Sequence, residues 1–362
     1  MDLKEITSHF AISEEVSKVE PLGSGLINDT YVVRTNPAEA PDYILQRINH
    51  SIFRDVELLQ KNIQRITDHV RKKLKERNES DPDRKTLTPV PAKDGKLYYF
   101  DGNNYWRVTI FIPRSKTYEQ VTPDFAYLTG VAFGEFQYLL SDLSGEPLGA
   151  TIPDFHNMEF RLKQLGDAIA ANPVGRLAKV QEIVEELQNR AEKMCKAERL
   201  YREGQLPKRI THCDTKVNNM LFDENDQFLC VIDLDTTMPG FVLSDFGDFI
   251  RTAANTGAED DEDLSRVSVN MDIFREFSRG YIKAASPFLT DIEIQNLPYG
   301  AQLLTYMQTV RFLTDYINGD TYYKTQYPEH NLQRTLAQLT LLHSIDSHME
   351  EMNHWIQQLS KN

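Results

Sequence analysis

The apolar positions of the chain fall into two textures. Between residues 22 and 112, short β-branched and aromatic runs alternate with turns. Leu22-Gly23-Ser24-Gly25-Leu26-Ile27-Asn28-Asp29-Thr30-Tyr31-Val32-Val33 sets two glycines ahead of a strand-forming run. That order predicts a hairpin whose backbone a ligand can approach closely. Further strands are predicted at Tyr43 to Ile48, Leu97 to Phe100 and Tyr105 to Ile112, the last two joined at Asp101-Gly102. Val56, Leu59, Ile63, Ile66, Val70 and Leu74 recur at helical spacing and predict a helix over 52–78. Ile6, Phe10 and Val16 among polar residues predict an amphipathic helix over 1–17, broken at Val19-Glu20-Pro21.

After Pro113 helical spacing dominates. Helices are predicted over 122–142, 158–202 with a break at Asn172-Pro173, 270–285, 291–318 and 330–358. Only 210–235 reads as short strands and loops. The pattern is that of an α+β protein, with a small β-rich part at 1–113 and a larger helical part at 114–362.

Bulk properties narrow the classes. A chain of 362 residues suits two domains better than one core. No apolar stretch approaches the roughly 20 residues that cross a bilayer, and Met1 to Ile6 lack a signal-peptide pattern. Three cysteines without a CxxC predict neither a disulfide framework nor a zinc site, so a cytoplasmic location is expected. The net charge of -14 argues against a nucleic-acid partner. The basic cluster Arg71-Lys72-Lys73-Leu74-Lys75 reads as a solvated helix face, and the acidic run from Glu259 to Asp263 as an exposed loop or helix start. Neither a membrane nor an obligate protein partner is implied. The expected partner is a small molecule.

The chemistry concentrates in two segments. Thr211-His212-Cys213-Asp214 opens a polar loop, and Asn219 follows Asp214 by five residues. Asp214 is the candidate catalytic base, placed to take the proton of an attacking hydroxyl. Asn219 offers a neutral oxygen to magnesium. Turn capping is the plainer explanation of either residue alone. Phe228 to Ile232 then forms an apolar strand ending at Asp233, and the turn Asp223-Glu224-Asn225-Asp226 predicts a hairpin returning Asp233 beside Asn219. Asp233 is the second candidate metal ligand. Asp235 shares its strand face by the period of two and is a candidate substrate contact or loop anchor.

These residues resemble the aminoglycoside phosphotransferase and choline kinase superfamily, whose catalytic loop runs His-x-Asp-x4-Asn. Ile232-Asp233 is similar to that family's metal-binding aspartate, and Ser244-Asp245-Phe246-Gly247-Asp248 to the acidic helix start that follows it. Tyr43 to Asn49, Ile232 to Thr236, Met238-Pro239-Gly240, Arg311 to Tyr316 and Tyr327 to Leu332 narrow the resemblance to the N-acetylhexosamine 1-kinases, over most of the chain. The resemblance implies a protein-kinase-like two-lobed fold, ATP with Mg2+, and phosphorylation of the anomeric hydroxyl of an N-acetylhexosamine or related sugar. It gives Gly23, Gly25 and Gln46 to the nucleotide. Gln46 stands where the family carries a lysine, and Leu26 where a histidine would match the hexosamine kinases.

Arg311, in an aromatic-rich helix, is a candidate sugar contact, with an ion pair to Asp315 as the plainer alternative. Tyr322, Tyr323 and Tyr327 stack on a sugar or pack the core. His212 is expected to hold the loop. Arg47 and Glu57 read as lobe packing and helix surface. The alternatives in function are a kinase for an amino alcohol or aminoglycoside, and a catalytically silent nucleotide-binding protein.

Overall fold

The computed structural model describes residues 2–23 and 27–361. Along the chain run α1 (Leu3–Thr7), β1 (Glu15–Pro21), β2 (Asp29–Asn36), β3 (Tyr43–Ile48), α2 (Val56–Glu76), β4 (Pro89–Val90), β5 (Tyr99–Phe100), β6 (Tyr105–Ile110) and α3 (Pro123–Leu140). Then follow α4 (Met158–Ala171), α5 (Gln181–Met194), α6 (Lys196–Arg202), β7 (Arg209–Thr211), β8 (Met220–Phe222), β9 (Phe228–Val231) and β10 (Met238–Gly240). The chain closes with α7 (Val242–Ala253), α8 (Met271–Ala285), α9 (Asp291–Gln295), α10 (Leu297–Ile317) and α11 (His330–Leu359). None of the described helices is long and apolar enough to cross a membrane.

The chain divides into two compact units, and the division is not one cut near Pro113. The first unit takes Met1–Thr117 together with Asp142–Pro153 and Asn219–Met238. Its sheet is antiparallel in the order β1-β2-β3-β6-β4, with β5 also on β6. Ile6, Phe10, Val33, Leu45, Trp106 and Val108 form one core cluster. This cluster explains why 1–17 is not one helix: α1 stops at Thr7, Phe10 bridges to Ala92, and Val16 lies on β1. All six apolar positions of the long helix are buried on α2. The segment 219–238 joins this unit through a bridge in which the Lys116 and Phe222 backbones exchange 2.9 Å hydrogen bonds. Ile112, Leu229 and Cys230 form a small core beside it. Asn62 holds the 142–153 segment by donating to the Gly149 carbonyl at 2.8 Å.

The second unit comprises Tyr118–Ser141, Asp154–Asn218 and Pro239–Asn362. Two close helix approaches shape it. A Cβ on Gly280 would lie 2.1 Å from the Tyr127 carbonyl oxygen, so glycine lets α8 press against α3. A Cβ on Gly247 would lie 2.0 Å from the Gly300 carbonyl oxygen, so glycine seats α7 against α10. Phe249 and Phe277 stack at 3.8 Å, and Phe246 and Tyr281 pack around them. The acidic run beyond α7 is a loop with Glu259, Glu262 and Asp263 exposed, and ion pairs hold it. Glu259 pairs with Arg251, Asp260 with His330 and Asp261 with Arg266, at 2.6, 2.7 and 2.6 Å.

Candidate active site

In the first unit, the β8–β9 hairpin sets the expected metal ligands near one another. Met220 pairs with Val231, and the Ile232 N–H donates to the Asn219 carbonyl at 2.9 Å. Asn219 and Asp233 therefore flank the same end of the hairpin. Asp233 adopts φ +57° and opens a 3-10 turn over Leu234–Thr236. That turn breaks the strand period, so Asp233 and Asp235 do not share a face. Asp233 is exposed and Asp235 is buried.

Asp235 has other partners than the substrate expected of it. Its carboxylate accepts from Asn28 Nδ2 at 2.7 Å and from Arg107 Nη2 at 3.0 Å, with a further bond from Arg107 Nη1. Gln46 sits directly opposite Arg107 in the β3–β6 register. Its Oε1 accepts from Arg107 Nε at 2.9 Å, and its Nε2 donates to Thr30 Oγ1 at 3.0 Å. A buried ion pair needs such added hydrogen bonds to offset the desolvation of its charges. Arg107 was not among the expected residues. Its signal was a lone charge within the strand-forming run from Tyr105 to Ile110. Arg47 turns outward onto Asp29, 2.6 Å from Nε, and Glu57 is exposed in the first turn of α2.

Gly23 adopts φ +68° with open space around it, which glycine tolerates best. Leu22 donates to the Thr30 carbonyl at 2.8 Å. Gly25 and Leu26 lie outside the described residues.

In the second unit, α7 clasps the loop that carries Asp214. Asp245 Oδ2 accepts from the His212 N–H at 2.8 Å and from Gln137 Nε2 at 2.7 Å, and Oδ1 accepts from the Cys213 N–H at 2.8 Å. The Tyr281 hydroxyl donates to Gln137 in turn, so α3 and α8 brace this carboxylate. Burial pushes the Asp245 carboxyl above its ordinary range, against the pull of His212 and its donors. One turn on, Asp248 accepts from the Thr215 N–H at 3.1 Å and from Arg251 Nη2 at 2.9 Å.

These bonds hold Cys213 at φ +63°, an uncommon conformation for a residue with a side chain. His212 lies between Phe133 and Phe136, and its Nδ1 accepts from the Asp214 N–H at 3.3 Å. Asp214 is partly exposed, and Lys216 Nζ lies 3.0 Å from its Oδ1. The Asp214 charge raises the pKa of the Lys216 ammonium.

Arg311 is half-buried on α10 and lies over the rings of Phe155 and Tyr323, at 5.1 and 5.6 Å from their centroids. It does not pair with Asp315. That carboxylate accepts instead from the N–H groups of Thr321, Tyr322 and Tyr323 at 2.8–2.9 Å and from Asn331. Asp315 thus shapes the loop that places Tyr323, while Tyr322 is 59% exposed beside it. Tyr327 stacks on His330.

Residues 18–277 match the sequence model of the phosphotransferase enzyme family, designated APH. The chain belongs to this family. Among solved structures, it resembles an ethanolamine kinase from Plasmodium vivax, with 14% identity, 89% of this chain and 82% of that one covered, and a TM-score of 0.56. It also resembles a spectinomycin phosphotransferase solved with ADP and spectinomycin, with 14% identity, 96% and 97% covered, and a TM-score of 0.53. An amicoumacin kinase solved with AMP-PNP and Ca2+ gives 12% identity, 97% and 96% covered, and a TM-score of 0.55. At such identities the likeness shows the fold, which is kinase-like: a β-sheet N-terminal region followed by a helical C-terminal region.

The chain thus joins a phosphotransferase family sequence to a kinase-like fold. Its donor set fits a magnesium-bound nucleotide. Asn219 and Asp233 are hard oxygen donors at one hairpin end, and two protein ligands leave room for phosphate oxygens and water. Among the described residues, no three His, Cys, Asp or Glu side chains cluster to hold a metal by themselves.

Proposed function

We propose that this phosphotransferase transfers the γ-phosphoryl group of ATP, with magnesium, to a hydroxyl of a sugar-like acceptor. The anomeric hydroxyl of an N-acetylhexosamine or related sugar is the first candidate. The observation that carries the proposal is the clasped loop, in which Asp245 and Asp248 fix the backbone from His212 to Thr215 and Asp214 stays accessible. A carboxylate held this rigidly has its orientation set before the substrate arrives.

Each group has a separable role. Asp214 orients the acceptor hydroxyl and takes its proton as the new oxygen–phosphorus bond forms and the bond to the leaving ADP oxygen breaks. Asn219 and Asp233 hold magnesium, which when bound neutralises charge on the phosphate oxygens. Gly23 and Gly25 offer backbone N–H groups to the phosphates. Gln46 orients Arg107, which supplies beside it the positive charge that Gln46 lacks. Asp235 anchors that guanidinium rather than contacting the sugar. Arg311 contacts the acceptor in the second unit.

The experiment is an ATP-consumption screen over hexoses, N-acetylhexosamines, uronic acids, amino alcohols and aminoglycosides, with the product position read by phosphorus NMR. A sugar 1-phosphate is expected. Turnover with amino alcohols or aminoglycosides alone would defeat the sugar assignment.

A further inference from the structure

Most buried or half-buried arginines of this protein face a carboxylate. Arg107 has Asp235, Arg176 has Asp320, Arg190 has Asp346, Arg209 has Glu293 and Arg251 has Asp248. Arg65, Arg161, Arg311 and Arg334 depart from this, and of these Arg161 and Arg311 meet at one place. Both are half-buried, and neither makes an ion pair among the described residues. In a chain of net charge -14, two guanidiniums that meet without an ion pair need an explanation.

They converge on one residue. Arg161 Nη2 and Nε donate to the Phe155 carbonyl at 2.8 and 3.2 Å, while Arg311 lies over the Phe155 ring. A guanidinium carries five N–H donors. Arg311 spends one on Gln308 Oε1 at 3.0 Å, and Arg161 gives a further one to Gln164 at 2.8 Å. His156 stacks on Phe155 at 4.6 Å, and its Nδ1 is buried with no partner. Three sets of nitrogen donors therefore surround Phe155.

The electrostatics agree with the geometry. Burial and the charges of Arg311, Arg161 and Arg251 push the His156 imidazole down to about 3, while Asp214 pulls the other way. The ring is neutral near pH 7 and has one N–H to give. Burial and the Arg311 charge push Arg161 down to about 10, still far above neutral pH. Both guanidiniums remain charged and repel each other. The cluster around Phe155 and the proposed base Asp214 belong to the same unit.

We propose that the acceptor is a hydroxylated anion, whose carboxylate or phosphate group docks on Arg161, Arg311 and His156 while its hydroxyl meets Asp214. This rests on the reading of the protein as a small-molecule kinase and moves the first candidate from the neutral N-acetylhexosamine to an anionic related sugar. An anion relieves the repulsion between the two guanidiniums and accepts their spare N–H bonds. A neutral acetamide oxygen accepts the bonds but cancels no charge. An ammonium group adds a third positive charge, which disfavours amino alcohols and aminoglycosides.

The test uses the full chain and one matched sugar scaffold: hexose, N-acetylhexosamine, hexosamine, hexuronic acid and hexose 6-phosphate. Acceptor-dependent ADP release gives kcat/KM, and calorimetry with the hexuronic acid and with the hexose phosphate gives binding without turnover. One of the two anionic sugars is expected to exceed the neutral hexose in kcat/KM by about tenfold or more, the scale of a charge-assisted hydrogen bond. Which of them wins assigns the anion. Arg311→Met should raise the KM of that sugar by about tenfold or more, and by a larger factor than that of the hexose. Arg311→Lys should restore part of the loss, which a merely structural role would not produce. Best turnover with hexosamine or N-acetylhexosamine, or an unchanged KM for the anionic sugar in Arg311→Met, overturns the anion site and leaves the kinase assignment standing. Anion binding that Arg311→Met abolishes, with no ATP turnover on any acceptor, supports the site and defeats the kinase assignment.

Discussion

Replacing Asp245 with Asn tests how the fold holds the loop that carries Asp214. The side chain keeps its shape but loses one acceptor oxygen. In the structure Oδ2 accepts from the His212 N–H and from Gln137, and Oδ1 from the Cys213 N–H. Whichever way the amide turns, its NH2 group faces a backbone donor. One or two buried donors are orphaned, each at about 1–3 kcal/mol. Removing a desolvated carboxylate returns part of that, because burial already pushes Asp245 above its ordinary range. A net loss of about 2–4 kcal/mol is expected. The loop also loses the bonds that keep Cys213 at φ +63°. A displacement of the neighbouring Asp214 by about 1 Å lowers kcat by about a hundredfold.

The assays are the denaturant midpoint, kcat for the best acceptor, and nucleotide affinity by calorimetry. Nucleotide affinity should hold, because Asn219 and Asp233 belong to the other unit. Stability within about 0.5 kcal/mol of the parent, together with kcat within about twofold, would refute the clasp.

Three further outcomes are expected. Arg107→Met leaves Asp235 buried and unpaired and should cost about 3–5 kcal/mol of stability. Adding Asp235→Asn should recover part of this in a double-mutant cycle, and strict additivity would show that the two are not coupled. Asp233→Ala should abolish the magnesium dependence of nucleotide binding, read by calorimetry with and without chelator, and an unchanged dependence counts against its metal role. His156→Gln should flatten the acid limb of stability. The His156 pKa is about 3 in the folded protein against an ordinary 6.5, so the unfolded chain takes up its proton first as pH falls. The parent therefore loses stability below pH 6.5, by about 2 kcal/mol between pH 6.5 and 5, and the variant should lack that loss in denaturant titrations.

What could be read from residues alone followed how local each feature was. The spacing from Val56 to Leu74 located α2, and the run Tyr43–Ile48 is β3 to the residue, because both are set by one face or one short register. The hairpin return of Asp233 toward Asn219 was legible from its turn. Period-two reasoning failed at Asp235 because Asp233 adopts a left-handed conformation and starts a 3-10 turn, which spacing does not announce.

Long-range features were hidden. The bond between Asn28 and Asp235 spans 207 residues, and the pair between Arg107 and Asp235 spans 128. The return of 142–153 and 219–238 to the first unit depends on backbone bonds such as those joining Lys116 and Phe222. Arg161 and His156 carry no local signal in the sequence. Only the neutral partners of Arg161 and the aromatic floor at Phe155 give them meaning.

The central claim is that Asp214 is the base of a phosphoryl transfer to a small hydroxylated acceptor. The most direct measurement is single-turnover transfer from ATP to the best acceptor by Asp214→Asn, alongside calorimetric titration of the same variant with magnesium and nucleotide. The account predicts transfer reduced by about a hundredfold or more with nucleotide affinity nearly unchanged. Transfer at the parental rate, with acceptor and nucleotide both bound, would contradict it.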